Sequence, residues 1–153
     1  MLEMAQDAAG DEFPFFSERD STNITLKRRR HIDDKETFKV LKVFKFTSER
    51  KCSSVVVRAP DGKVYAYIKG SELAVKAMLS ATQEAYLGAV ELDEEDFARR
   101  GLRTLYFGFK EMQTPIDGKD WDNLTHEEVE SDITLLGATG IEDLLQEDVK
   151  MCI

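Results

Sequence analysis

Short runs in which apolar and polar positions alternate dominate this chain, and the densest group of them lies at residues 38–70. Residues 37–46 put Phe38, Val40, Phe44 and Phe46 on one face, with Lys42 among them, and Leu41 and Val43 on the other. Apolar side chains on both faces predict an internal strand covered from both sides. Residues 53–59 (SSVVVRA) are rich in β-branched side chains and predict a second strand. Asp61-Gly62 supplies the positive φ of a tight hairpin turn, and residues 64–68 return as the third strand. A polar knot, residues 47–51, separates the first strand from the second.

The flanking pattern adds further strands and some helices. Residues 23–28 (NITLKR) alternate as a half-buried strand does, and Phe13-Pro14-Phe15-Phe16 opens a short strand in which Pro14 is allowed only at a sheet edge or at the first residue. The basic run Lys27 to His31 meets Asp33-Asp34 and reads as a solvated hairpin loop. Ser71 can cap a helix over residues 72–80, with Leu73, Ala74, Ala77 and Met78 at helical spacing. Residues 82–90 are ambiguous between helix and loop. A helix is predicted to start near Leu92, with Asp93 to Asp96 in its first turn and Gly101 ending it. Residues 102–112 form a strand, Thr114-Pro115 breaks it, and residues 117–130 read as loop and short helix. Residues 132–136 form a brief strand, Gly137 to Gly140 a turn, and residues 141–149 a helix. The sum is an α+β fold, a mainly antiparallel twisted sheet with helices packed on it.

Composition narrows the function. The 153 residues suffice for one domain with a core that needs no disulfide or metal. No run reaches the roughly 18 to 20 apolar residues of a membrane helix, so no part of the chain is expected to enter a membrane. The net charge of −9 disfavours duplex nucleic acid as a partner. Cys52 and Cys152 form no CxxC pair and are expected to be reduced thiols, which fits the cytoplasm. His31 and His126 lie at no metal-ligand spacing, so no metal site is expected in this chain. The nucleophile, zinc-hydrolase and Walker motifs are absent. The short Gly137–Gly140 run admits a phosphate loop or an ordinary turn, and Glu142 and Asp143 an acid pair or helix-dipole partners. No catalytic residue is assigned.

Three residues have two readings. Phe46 ends a strand beside a polar turn and belongs either to the core or to an exposed rim. Lys69 precedes Gly70 at a strand end, and Arg103 opens another strand after Gly101. Both cations are either solvated strand ends or anion ligands, and an exposed ring beside them can stack on a base.

The runs FKFTSERK, SSVVVRAPDGKVYAYIKGSE, RRGLRTLYFGFKEM and SDITLLGATGIEDLLQEDV, in this order, resemble the nucleotide-binding domain of the phospholipid-flipping P-type ATPases. The resemblance implies that Phe46 stacks on adenine and that Lys69, the lysine of its KG motif, lines the same pocket. It implies that Arg103, in GLRT, reaches the phosphates or ribose and that Ser48 hydrogen-bonds at the pocket edge. Residues 1–12 would be a loose acidic end, 13–136 the nucleotide-binding domain, and 137–153 a strap returning to a phosphorylation domain, with Asp143 near the hinge. The phosphate-accepting aspartate of a DKTGT motif, the magnesium-binding acids and the membrane helices would belong to the rest of a parent enzyme, so ATP is the expected ligand here and Mg2+ a cofactor of the parent only. Its partners would be the phosphorylation, actuator and transmembrane domains. Cys52, Ser53 and Ser71 depart from the family pattern, and residues 112–131 are shorter than usual. These departures motivate an alternative, a non-catalytic interaction module that kept the fold and lost nucleotide binding. A self-contained hydrolase would need an acid–base or metal site that the sequence does not supply.

Overall fold

A computed structural model describes residues 14–28, 31–113 and 120–143. Seven strands follow one another in the sheet in sequence order: β1 (Pro14–Arg19), β2 (Asn23–Arg28), β3 (His31–Phe44), β4 (Cys52–Arg58), β5 (Val64–Gly70), β6 (Arg103–Met112) and β7 (Thr134–Ile141). Short helices α1 (Glu72–Lys76) and α2 (Glu84–Arg99) lie between β5 and β6, and α3 (His126–Val129) between β6 and β7. The α+β expectation therefore holds. The chain forms two compact units, the first from residues 1–45, 54–67 and 110–129 and the second from residues 46–53, 68–109 and 130–153.

In the first unit, β1, β2, β3 and β4 pair antiparallel in turn. Asp20 closes the β1–β2 turn, accepting the Thr22 and Asn23 amides at 2.6 and 2.7 Å. The Asn23 side-chain amide and these two backbone donors stabilise the carboxylate and hold Asp20 down at about 2. The β2–β3 connection is tighter than a loop over 27–34, because Arg28 already faces His31 across the hairpin. The β4–β5 turn forms as predicted: Gly62 takes φ 87°, and the Ala59 amide donates to the Lys63 carbonyl at 2.8 Å. β3 is internal in the sheet, but its faces are not both covered. Residues 35–44 are half-buried or exposed, and a bulge between Val40 and Lys42 breaks the alternation. The buried side chains of this unit include Val56, Val57, Val64, Ala66 and Val129.

In the second unit, Cys52, Ile68, Val75, Val90, Tyr106, Ile133 and Leu135 are buried. The helices differ from the sequence reading in two ways. Ser71 does cap α1, accepting the Ala74 amide at 3.4 Å, but the helix stops at Lys76. The chain beyond it turns to β7 instead, with Ser80 donating to the Ile133 carbonyl and Ile133 to that of Met78, both at 3.0 Å. Val75 rather than Leu73 faces inward, and Leu73 is 75% exposed. In turn, α2 starts at Glu84, so Leu92 and the acids Asp93 to Asp96 stand mid-helix rather than in a first turn.

Those mid-helix acids have local partners. Lys76 reaches Glu91 at 2.7 Å, and the Tyr106 hydroxyl donates to Glu94 at 2.6 Å, which ties α1, α2 and β6 together. Burial works against the Lys76 charge, but Glu72 and Glu91 outweigh it and raise its pKa. Burial, with Glu94 as hydrogen-bond partner, pushes the Tyr106 phenol up as well. Gly101 ends α2 with φ 71° as expected.

The glycine run at 137–140 is strand, not turn. β7 passes through it and pairs with β6 from Phe109↔Thr134 to Arg103↔Ile141. Two physical needs explain glycine there. Gly137 adopts φ 144° where the register shifts by one residue opposite Phe107 and Gly108. A Cβ on Gly140 would lie 2.7 Å from Leu102 and 2.9 Å from the Phe97 ring, so α2 can pack on the strand only over glycine. Residue 141 closes this strand rather than opening a helix; the remainder of the helix expected over 141–149 lies outside the described residues beyond Asp143. Thr114-Pro115 lies outside them too.

Candidate nucleotide site

The residues picked out for a nucleotide surface all fall in the second unit. β3 ends at Phe44, so Phe46 stands in the connection to β4 rather than in the strand. Its ring is 63% exposed, which selects the rim reading over the core one. The following turn holds itself together: Thr47 accepts the Lys51 amide on its carbonyl at 2.8 Å and the Arg50 amide on its hydroxyl at 3.3 Å. Thr47, Ser48 and Glu49 are exposed. Lys51 takes φ 53°, unusual for a side chain of this size, and is exposed at the turn's end.

The end of β5 is joined to this turn. Ser71 donates its amide to the Lys51 carbonyl at 3.0 Å. Gly70 lies so close that a Cβ on it would meet the Cys52 Cβ at 2.7 Å and the Lys51 carbonyl oxygen at 2.9 Å. Lys69 alternates outward from buried Ile68 and Gly70, and it forms no ion pair with any described residue. Gly70 is thus required by close backbone approach, and Ser71 by its capping role. The serine that departs from the family pattern is a helix start.

Arg103 arrives from the other side. Lys63, just before β5, pairs with Glu111 of β6 at 3.0 Å, so the two neighbouring strands run in opposite directions. The Lys69–Gly70 end of β5 therefore lies at the Arg103 end of β6. Arg103 is exposed and already engaged, donating to the Asp143 carboxylate two residues beyond β7. The structure thus links Phe46, Ser48 and Lys69 through the Lys51–Ser71 contact, and sets Arg103 on the adjoining strand end.

Beneath the turn lies a pair that the sequence reading missed. Arg50 points inward and donates to Glu130, whose side chain is 4% exposed; that of Arg50 is 16% exposed. The Arg50 guanidinium also lies 3.9 Å from the Cys52 sulfur. Burial, reinforced by the Glu130 charge, pushes the Cys52 thiol up to about 11. Cys52, the second departure from the family pattern, is therefore a packed, neutral thiol under the rim. Lys51 stood in the sequence reading only as part of the polar knot; a lysine gives no sign of a left-handed backbone, as glycine or asparagine would, whereas the aromatic and the KG pair stand out by type.

The family model for the P-type ATPase, cytoplasmic domain N, matches residues 19–148. The chain belongs to this family. Relatives of the N domain include a phospholipid-transporting ATPase of Mus musculus, FetA, 38% identical over 129 residues. That alignment covers 73% of this chain and 11% of the relative. The probable phospholipid-transporting ATPase 4 of Arabidopsis thaliana is 31% identical over 161 residues, covering 92% of the chain and 13% of the relative. The probable phospholipid-transporting ATPase IM of Homo sapiens is 32% identical over 130 residues, covering 74% and 11%. The chain thus spans about a tenth of the length of the curated relatives it matches. Among the described residues no helix is long and apolar enough to cross a membrane.

An exposed ring and exposed cations are groups that can stack on a planar base and offset an anionic tail. Among the described residues no group of three His, Cys, Asp or Glu is placed to hold a metal ion.

Proposed function

We propose that this N domain binds ATP and holds it for phosphoryl transfer to an aspartate of a separate domain in a phospholipid-transporting P-type ATPase. Phe46 stacks on the adenine. Ser48 hydrogen-bonds at the pocket edge, and Lys69 and Arg103 neutralise the phosphates. Magnesium acts with the other domains of the parent, which stand at the cytoplasmic face of a membrane; residues 137–153 lead back toward the phosphorylation domain, and residues 13–136 are the binding domain itself. The chain's own contribution is positioning: it binds one reactant and presents it, which lowers the entropic part of the barrier.

The observation that carries this reading is the exposed Phe46 ring beside the Lys69–Gly70 end of β5 in a chain that belongs to the N domain family. Arg103 supports it with one qualification of strength. Its carboxylate partner Asp143 is as exposed as Arg103 itself, so the pair is weak and a triphosphate can compete for the guanidinium. Titration of the 153-residue chain with ATP, followed by amide NMR shifts, tests the reading. Shifts are expected at Phe46 to Lys51, Lys69 to Ser71 and Arg103. Phe46→Ala should weaken binding about five- to tenfold, the loss of roughly 1 kcal/mol of ring stacking, while leaving the fold intact. No shift at millimolar ATP would instead favour the non-catalytic module.

A further inference from the structure

We infer that Glu130 is a positioning residue for the nucleotide site, holding the Phe46–Lys51 turn in place through its buried pairing with Arg50. The inference rests on the ATP-binding reading above and deepens it by naming the residue that sets the geometry of the rim.

The turn has an outer and an inner side. Phe46, Thr47, Ser48 and Glu49 are exposed and form the outer side. The turn's internal hydrogen bonds, to the Thr47 carbonyl and hydroxyl, keep its shape but not its position. Position comes from two inward links. One is the Lys51 carbonyl, which accepts the Ser71 amide and joins the turn to the end of β5. The other is Arg50, the turn's one inward-pointing side chain, which is held by Glu130.

Glu130 is itself rigidly placed. It follows Val129, and three residues later Ile133 begins the approach to β7; both Val129 and Ile133 are fully buried. Asp132 takes φ 51°, so the backbone bends sharply between Glu130 and Ile133. An ionised carboxylate that is 4% exposed is costly to hold without a partner. Its pairing with Arg50 is directional, because the guanidinium presents donors in a fixed planar fork. The turn therefore inherits its placement from a segment 80 residues away in sequence.

The test combines two measurements on the 153-residue chain. Without nucleotide, the Ser71 amide, which donates to the Lys51 carbonyl and so joins the turn to β5, should be protected from hydrogen exchange in the wild type and lose protection in Glu130→Gln. With nucleotide, Glu130→Gln should weaken ATP binding about tenfold, as misplacement of a positioned group does. In a Phe46→Ala background the same change should have little further effect, since Glu130 would act through that ring. Val90→Ala, a buried change in α2, is the control: it should lower the thermal midpoint and leave ATP affinity unchanged. Should Glu130→Gln fail to fold, Glu130→Asp replaces it, because a shorter carboxylate keeps the charge but not the reach.

Unchanged exchange at Ser71, effects that add with Phe46→Ala, or an equal affinity loss in Val90→Ala would each overturn the inference. Absence of ATP binding in the wild type would overturn the nucleotide reading instead, while the exchange measurement still decides whether Glu130 anchors the turn.

Discussion

Two arginine–carboxylate pairs flank the candidate site, and they have the same chemistry but opposite surroundings. Arg50 and Glu130 meet with side chains 16% and 4% exposed; Arg103 and Asp143 meet with side chains 63% and 64% exposed. The difference is dielectric. Water screens the exposed pair and solvates each partner when they part, so the bond holds Arg103 weakly and leaves it available. The buried pair has no such replacement, and separating it strands a charge in a poor solvent. One pair is suited to exchange a carboxylate for an incoming phosphate, the other to hold a surface still.

This contrast can be broken most directly at Glu130. Glu130→Ala should destabilise the fold by about 3 kcal/mol in urea unfolding, because it removes the buried carboxylate to which the Arg50 guanidinium donates. A loss below 1 kcal/mol would put the two pairs in the same class. Next comes the seam between turn and β5. Gly70→Ala should cost about 2 kcal/mol, since its Cβ would meet two atoms of the Lys51–Cys52 backbone and side chain too closely for both to yield. A neutral result in the same unfolding experiment would show that this seam is looser than its distances imply.

The buried side also predicts an alkaline limb. The Cys52 pKa is raised in the folded state from 9.0 to about 11, so its stabilising contribution is complete below 9 and is lost as pH rises toward 11. Cys52→Ala should flatten stability over that window; an unchanged slope would show that the thiol is more accessible than its burial implies. Smallest is the exposed pair. Asp143→Asn should change stability by less than about 0.5 kcal/mol, and a larger loss would show that this pair too is structural.

Strand positions were readable from alternation and turn chemistry. β2 and the Asp61-Gly62 hairpin agree with the pattern, because local residues suffice to specify both. The helices were less readable. Leu73 looked like a buried position, but a five-residue helix has too few turns for spacing to decide which face turns inward. The acids of α2 looked like a first turn because acids favour that place; here Lys76 and Tyr106 supply partners for Glu91 and Glu94 that no local pattern reveals. The glycines of β7 looked like a turn, since the side chains of Phe97 and Leu102 that demand Gly140 arrive from distant sequence.

The candidate site divides along the same line. Phe46, Lys69 and Arg103 stand out by type at strand ends, and their family resemblance can be read from the chain alone. The sequence by itself also determined the α+β class and most strand positions, because alternation and turn residues act over a few positions. Tertiary structure decided that Phe46 is exposed, that Ser71 and Cys52 serve the fold, and that Arg50 finds Glu130. Those outcomes depend on burial, and burial is set by which distant segments meet: a guanidinium beside a buried carboxylate becomes an anchor, and one in water remains free to exchange its partner.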